Sequence, residues 1–386
     1  MQSDSFDLVV VGAGVMGLSV ARAGLQKGYR VLVVERHHHA NGASIRNFGF
    51  VTVTGQRRGG HWRRAMRTRN IWARIAPRAG ISIEHEGLLV AARRPQAADV
   101  LHAFMATEMG EQCRFLTREQ ALSKIPALAQ GTSFSELLYS PHELRVESSV
   151  AIPKLAKWLE SMGVVFRYAT TVHEIDHKTV STRAGEFIGE RIVVCPGDNF
   201  DGPFACQYQQ AGLSHCTLQM LRVAAGSSCA LASGLMSDLS LVRYEGYRLL
   251  PEAVALLDVL GQEASDALAN GVHLIAVKSA DGSLIVGDSH QYSSTPNPFS
   301  DETVDDLILG ELLACVDLPD IRVTSRWTGS YAHLKDHVYC LQRPSPHIRS
   351  IIVTGGTGAS TGLALGEDVL ADLDGEIQLD EKGTEP

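Results

Sequence analysis

The chain is 386 residues long, with 45% hydrophobic and 20% charged residues and a formal net charge of −8. That length exceeds what one core keeps filling, so two domains sharing a cleft are expected, and the apolar content is too high for a disordered chain. The acidic balance argues against a general nucleic-acid binder, and no apolar run of about 18 residues offers a membrane span.

The opening "MQSDSFDLVVVGAG" places acids where an export signal carries a basic stretch. The cysteines Cys113, Cys195, Cys206, Cys216, Cys229, Cys315 and Cys340 form no C-x-x-C pair, so reduced thiols and a cytoplasmic location are expected. "FDLVVV" is an apolar run of the buried parallel-strand kind, followed by "GAGVMG", the helix pattern "LSVARAGLQKG" and a second strand "YRVLVVE". After "GASIRNFGFVTVTG", which lacks a regular period at its start, residues 56–79 carry eight arginines and no acid. Helical spacing puts Trp62, Ala65, Met66, Trp72, Ala73 and Ala76 on one face and Arg63, Arg64, Arg67 and Arg74 on a solvated one, with Arg69 inside the apolar stripe.

"GLLVAAR" reads as a strand, and "DVLHAFMATEM" and "SSVAIPKLAKWLESMG" as helices. Alternating "VVFRYATTVHEID" precedes "TVSTRAGEFIGERIVVCPG", a hairpin ending in a buried strand at Ile192 to Cys195. Residues 206–335 supply the strand candidates "LQMLRVAA", "LVRYEGYRLL", "VHLIAVKS", "SLIVGDSH" and "RVTSRWTGSY", with a helix near 301–314. The chain closes with "SIIVTGGTGASTGLALGEDVLADL", a strand, glycine turn and helix, and a polar tail "EKGTEP" expected to be disordered.

Gly12, Gly14 and Gly17 match G-x-G-x-x-G between a strand and a helix, and Glu35 ends the next strand. In that motif the first glycine permits the tight turn, the second lets backbone approach a pyrophosphate and the third lets helix and strand pack, while the helix start offers amide donors. Val15, Met16 and Arg36 join this cofactor set. Glu35 suits ribose hydroxyls and disfavours a 2′-phosphate, which points to FAD or NAD. The second turn, with Gly355, Gly356, Gly358, Ala359, Ser360 and Thr361, favours FAD: its helix start can face a flavin edge, with Ser360 or Thr361 as a cap. "HHH" at 37–39 lacks the spacing of a metal site, and no metal is expected.

"VVVGAGVMGLSVA", "GASIRNFG", "TTVHEI…ERIVVCPG" and "GGTGASTGLALGE" together resemble the D-amino-acid oxidase superfamily of FAD-dependent amine oxidases, which includes glycine and sarcosine oxidases, over nearly the whole chain. The resemblance implies an α/β fold: a Rossmann-like FAD-binding domain (1–80, 146–205 and 336–386) and a second α+β domain built on a mixed, largely antiparallel sheet (81–145 and 206–335). It also implies a backbone contact from Val172 to the adenine, Gly197 near the cofactor, and Ala43 and Ser44 beside the pyrophosphate and flavin. Asn47 and Gly49 then shape that loop, and Arg46 is either a cofactor-phosphate partner or a substrate anchor.

Two departures bear on substrate. The amino-acid oxidases carry a carboxylate-clamping arginine near the C-terminus where "WTGSY" here places Tyr331. Ile285 stands near the place of an oxygen-activating lysine, and no cysteine lies beside "RWTGS", so non-covalent FAD is expected. The remaining cations, Arg46, Arg69, Arg243, Arg248 and Arg326, together with Tyr244, Tyr247, Tyr331 and His290, suit a tetrahedral oxyanion. "SIRNFGF", "LQMLRV" and "GGTGAS" resemble a branch associated with phosphonate catabolism. This implies oxidation of a small anionic amine such as 2-aminoethylphosphonate or its N-methyl form, with hydride transfer to flavin and reoxidation by dioxygen; by residue type and position, His290 can assist either amine deprotonation or oxygen reactivity. A glycine, sarcosine or other amino-acid oxidase, a dehydrogenase with another acceptor and a non-catalytic flavoprotein are the alternatives.

Overall fold

A computed structural model describes residues 4–226, 231–381 and 383; Cys229 and much of the polar tail lie outside the described residues. Two sheets organise the chain. The first has the order Tyr339–Ser345, Ile348–Val353, Gly185–Val194, Asp4–Val11, Val31–Val34, Val165–Arg167, with a ribbon of Val172–Asp176 and Thr179–Thr182 at one side. From Ile348–Val353 to Val165–Arg167 all neighbours run parallel. Leu8, Val9, Val10, Leu32 and Val193 are fully buried, as a sheet covered on both faces demands. The carboxyl ends of these strands share one edge, where open α/β sheets bind ligands.

The second sheet has the order Gln291–Ser293, Ser214–Ala224, Leu284–Gly287, Ile275–Lys278, Gly234–Ser237, His85–Ala92, Glu136–Arg145, Phe50–Val51. Arg322–His333 also pairs with Ser214–Ala224, which brings Tyr331 opposite Cys216. Among the described residues its pairings are antiparallel except that of Gly234–Ser237 with His85–Ala92. The segment "LVRYEGYRLL" is not a strand: it forms the short helices Asp238–Leu241 and Glu245–Arg248. Gly246 explains the difference, because its amide donates to the Gly55 carbonyl and a Cβ there would lie 2.5 Å from the Gln56 oxygen. Alternating apolar residues cannot reveal such a backbone-to-backbone seat.

The helices Val15–Gln26 and Gly358–Leu373 each start directly after a parallel strand and pack face to face, with Gly362 and Gly366 meeting Val15, Met16 and Ser19. The arginine-rich segment forms the helix Gly60–Ile75 against the same closing helix. Its arginine face is not simply solvated. Arg64 is buried and pairs with Asp368 at 3.0 Å, and Arg67 reaches Asp368 and Glu367. The acids missing from residues 56–79 therefore lie on the last helix, some three hundred positions away in sequence. Arg69 donates to the His142 carbonyl at 3.1 Å and acts as a strut. The six described cysteines are unbridged, and no helix among the described residues is long and apolar enough to cross a membrane.

Candidate active site

A cleft of about 570 Å³ opens at the carboxyl edge of the first sheet and runs under the second, within the range of ligand-binding clefts. One end is made of backbone. Gly12 takes φ +105°, and a Cβ on Gly17 would lie 1.7 Å from the Gly12 oxygen, so the turn closes only with glycine at both places. Gly14, Val15, Met16, Ala43, Ser44, Asn47 and Gly197 line the cleft here, as do Gly355, Gly356, Gly358, Ala359 and Ser360 from the second glycine turn. The Ser44 hydroxyl accepts from the Val15 amide at 2.9 Å, so one donor of the helix start is already engaged. Asn47 fixes the loop, donating to the Ala43 carbonyl and accepting from the Gly49 amide, both at 2.6 Å.

Glu35 is buried behind this end. Its carboxylate accepts from the Ala13 amide at 2.8 Å and the His37 amide at 2.9 Å, bracing the glycine turn. Ser360 and Thr361 do not cap their helix, since both lie within its first turn: the Ser360 hydroxyl accepts from the Thr52 amide and that of Thr361 donates to the Thr357 carbonyl. Thr357 precedes the helix, and its buried hydroxyl has no partner among the described residues. Two helix starts, an orphaned hydroxyl and glycine-lined walls fit a dinucleotide with a pyrophosphate. Arg36 is exposed, and Val172 is half-buried against the sheet core without lining the cleft.

The other end is made of titratable side chains. Arg243, on the loop after the helix Asp238–Leu241, donates to the Tyr331 hydroxyl at 3.1 Å. Among the described residues no carboxylate pairs with it. Burial opposes its charge, yet Tyr331, Tyr292, Cys216 and Asp288 hold its pKa above the ordinary value, so it stays cationic. Burial likewise raises the Tyr331 phenol far up, leaving it neutral. The cation absent from position 331 thus arrives beside it from position 243.

Asp288, His273 and His290 stand next to this pair. His273 Nε2 lies 2.9 Å from Asp288 Oδ1, in a direction that leaves that oxygen without a proper hydrogen bond, and His290 Nε2 lies 3.9 Å from Oδ2. The two imidazoles stack at 5.2 Å, and the His290 ring meets Tyr331 edge-on at 6.4 Å. Burial, then the Arg243 charge, push the His290 pKa down to about 3, so it is neutral at pH 7. The Asp288 pKa is lowered although burial opposes it, and the Arg243 charge is among the causes. Sequence reasoning missed His273 and Asp288; the only hint was "GDSH", which sets a carboxylate two places before His290.

Several expected site residues lie elsewhere. Arg46 does not line the cleft; its carbonyl accepts from Trp327 Nε1 at 3.2 Å. Arg326 is half-exposed and bound to Asp305 at 2.6 Å, away from the cleft. Tyr247 is fully buried against Phe104, with its hydroxyl unpartnered, and belongs to the core. Arg248 lines the cleft but is paired with Glu245 at 2.6 Å. Ile285 is buried in its strand.

The profile of the FAD dependent oxidoreductase (DAO) family matches residues 7–373. The glycine oxidase of Geobacillus kaustophilus (strain HTA426) is 25% identical over 206 residues, 50% of this chain and 54% of that protein. The crystal structure of glycine oxidase from Geobacillus kaustophilus superposes with a TM-score of 0.76 at 18% identity, over 98% and 97% of the two chains. One polypeptide of the anaerobic glycerol-3-phosphate dehydrogenase of Escherichia coli (strain K12) is 43% identical over 49 residues, 13% of this chain but 9% of that polypeptide. The FAD-bound L-alpha-glycerophosphate oxidase of Mycoplasma pneumoniae superposes with a TM-score of 0.70 at 16% identity, over 98% of each chain. The chain therefore spans about half, or far less, of the curated relatives it matches.

Proposed function

The chain belongs to the FAD dependent oxidoreductase family, and from the side chains at the far end of its cleft we propose that it oxidises a small amine bearing an anionic group. The best candidate is 2-aminoethylphosphonate or its N-methyl form, converted to phosphonoacetaldehyde. The observation that carries this is Arg243, cationic and without a carboxylate partner among the described residues, bound to the neutral phenol of Tyr331. A guanidinium fork beside a phenol donor can reach several oxygens of one tetrahedral anion. Arg57 also lines the cleft and adds positive potential along it. Two relatives carry a glycerol-3-phosphate or glycerophosphate substrate in their names, which supports room in this fold for a phosphorus oxyanion.

Bound FAD, held by the glycine-lined end, supplies the acceptor for the two electrons leaving the carbon next to nitrogen. The residues of the chain do the rest. Arg243 and Tyr331 fix the anionic end, His290 receives the amine, and the walls of the cleft exclude water so that these contacts act at full strength. The resulting imine hydrolyses to aldehyde and ammonia, or to methylamine from the N-methyl substrate. Dioxygen is the proposed final acceptor, giving hydrogen peroxide.

Anaerobic bleaching of the flavin by 2-aminoethylphosphonate, its N-methyl form, glycine and sarcosine tests the assignment. Reduction by the phosphonates alone is expected. Reduction by the carboxylates alone would instead support a glycine or sarcosine oxidase, the reading favoured by the similarity to glycine oxidase. Slow recovery of colour in air would favour a dehydrogenase.

A further inference from the structure

Three buried side chains at the floor of the cleft are more than a structural cluster. The His290 Nδ1 lies 3.0 Å from the Gly271 carbonyl. A carbonyl only accepts, so Nδ1 carries the hydrogen and Nε2 is a bare lone pair. That lone pair stands 3.9 Å from Asp288 Oδ2, while Oδ1 lies 2.9 Å from His273 Nε2. Acceptors therefore confront one another, in a buried site, with no hydrogen between them. Such an arrangement is costly unless a group rich in N–H enters.

We propose that Asp288 and His290 form the subsite for the substrate's amino group, taking up an ammonium and removing one of its protons, while His273 holds Asp288 in place. This rests on the amine-oxidation reading above. The anionic half of the same molecule sits on Arg243 and Tyr331, one ring contact away. The floor of the cleft thus carries a cation and an anion matched in reverse to a short zwitterion. In the proton step one N–H bond of the ammonium breaks and its electron pair stays on nitrogen. The proton bonds to His290 Nε2, with Asp288 Oδ2 beside it to balance the new charge. No electrons change hands until the amine is neutral.

The two halves are coupled. Arg243 is one of the charges that depress His290. Burial is the larger cause, and an anion seated on Arg243 offsets only the second, so the base strengthens when the anionic end is bound. The other groups facing this site are Tyr244, whose ring meets His273 edge-on, and Tyr292 and Cys216 on neighbouring strands. Burial keeps all three neutral, raising each above its ordinary value. His273 is a positioning residue: its Nδ1 lies 3.3 Å from the Ser240 hydroxyl, anchoring the ring that contacts Oδ1.

The test is the pH profile of the rate of anaerobic flavin reduction at substrate well below saturation. Wild-type holoenzyme with 2-aminoethylphosphonate is expected to show a nearly flat rate from pH 6 to 9. With propylamine, which has no anionic end, the rate should climb about tenfold per pH unit, following the neutral amine in solution. Asp288→Asn should give 2-aminoethylphosphonate the same climb as propylamine, with flavin content and melting midpoint retained. His290→Gln carries the same expectation if Asp288→Asn does not hold flavin. His273→Gln should steepen the profile less than either. A uniform loss at every pH in Asp288→Asn overturns the subsite while leaving the amine-oxidation reading intact. So does a stoichiometric divalent metal in the purified holoenzyme, which would make His273, Asp288 and His290 ligands. If no amine bleaches the wild-type flavin, both readings fall.

Discussion

The two ends of the cleft are built from different materials. The cofactor end is main chain: glycine turns at residues 12–17 and 355–358, braced by Glu35 and Ser44. The proposed substrate end is side chain: Arg243, Tyr331, Asp288, His273 and His290, delivered by four separate stretches of the second sheet and its loops. A site made of backbone tolerates little change at a few positions, whereas one made of charges can be retuned residue by residue without losing the cofactor. Loop and strand-end residues carry specificity on a scaffold that the glycines keep rigid.

That contrast can be broken most severely at Gly12. Gly12→Val places a β-branched residue at φ +105° with its Cβ 2.4 Å from the Cys195 carbonyl oxygen. The backbone alone costs about 1–3 kcal/mol, and the purified protein should be colourless, as the ratio of flavin to protein absorbance will show. Acid should strike next. His61, His85 and His290 are held neutral by burial, with pKa values pushed from 6.5 to about 3. The unfolded chain takes up these protons first, so stability is full above pH 6.5 and falls as pH drops from 6.5 towards 3, by up to about 1.4 kcal/mol per unit for each. Unfolding midpoints measured from pH 7.5 to 5 should drop steeply; a flat series would contradict the burial of these rings.

Arg243→Met sharpens the comparison by damaging one end alone. Loss of a charged hydrogen-bond donor worth about 1.5–3 kcal/mol should raise KM for anionic amines about 10- to 150-fold, with flavin content unchanged. Arg326→Ala, by contrast, removes a half-exposed partner of Asp305 remote from the cleft. Turnover should stay within about twofold, because Arg326 does not line the cleft and surface substitutions away from a site act weakly.

The cofactor end was legible in sequence because its demands are local. A strand, a glycine spacing and an acid lie within some thirty positions, and each answers a backbone requirement that few other residues meet. The substrate end obeys no such spacing. Tyr331 was visible as a missing arginine and as one phenol among several, and Arg243 was one cation among several, distinguished by a hydrogen bond between a loop and a strand 88 positions apart. His273 and Asp288 come together through the antiparallel pairing of Ile275–Lys278 with Leu284–Gly287. Arg46 and Arg326 show the opposite case: residue type suits an anion, but neither lines the cleft, and Arg326 is held by Asp305. Tyr247 misled because helical turns replaced the expected strand and drove it into the core.

The packing of the first and last helices sets a schedule as well as a shape. Gly366 lies so close to Ser19 that a Cβ would come within 2.5 Å of it, and the strand beside Asp4–Val11 is Gly185–Val194, whose own neighbour is Ile348–Val353. A ribosome working from the N-terminus therefore exposes the first glycine turn long before either partner exists. At about 5–20 residues per second, the second turn follows the first by roughly 15 to 70 s. Until then the nascent chain holds half a nucleotide site, and cofactor capture has to wait for the last helix to emerge.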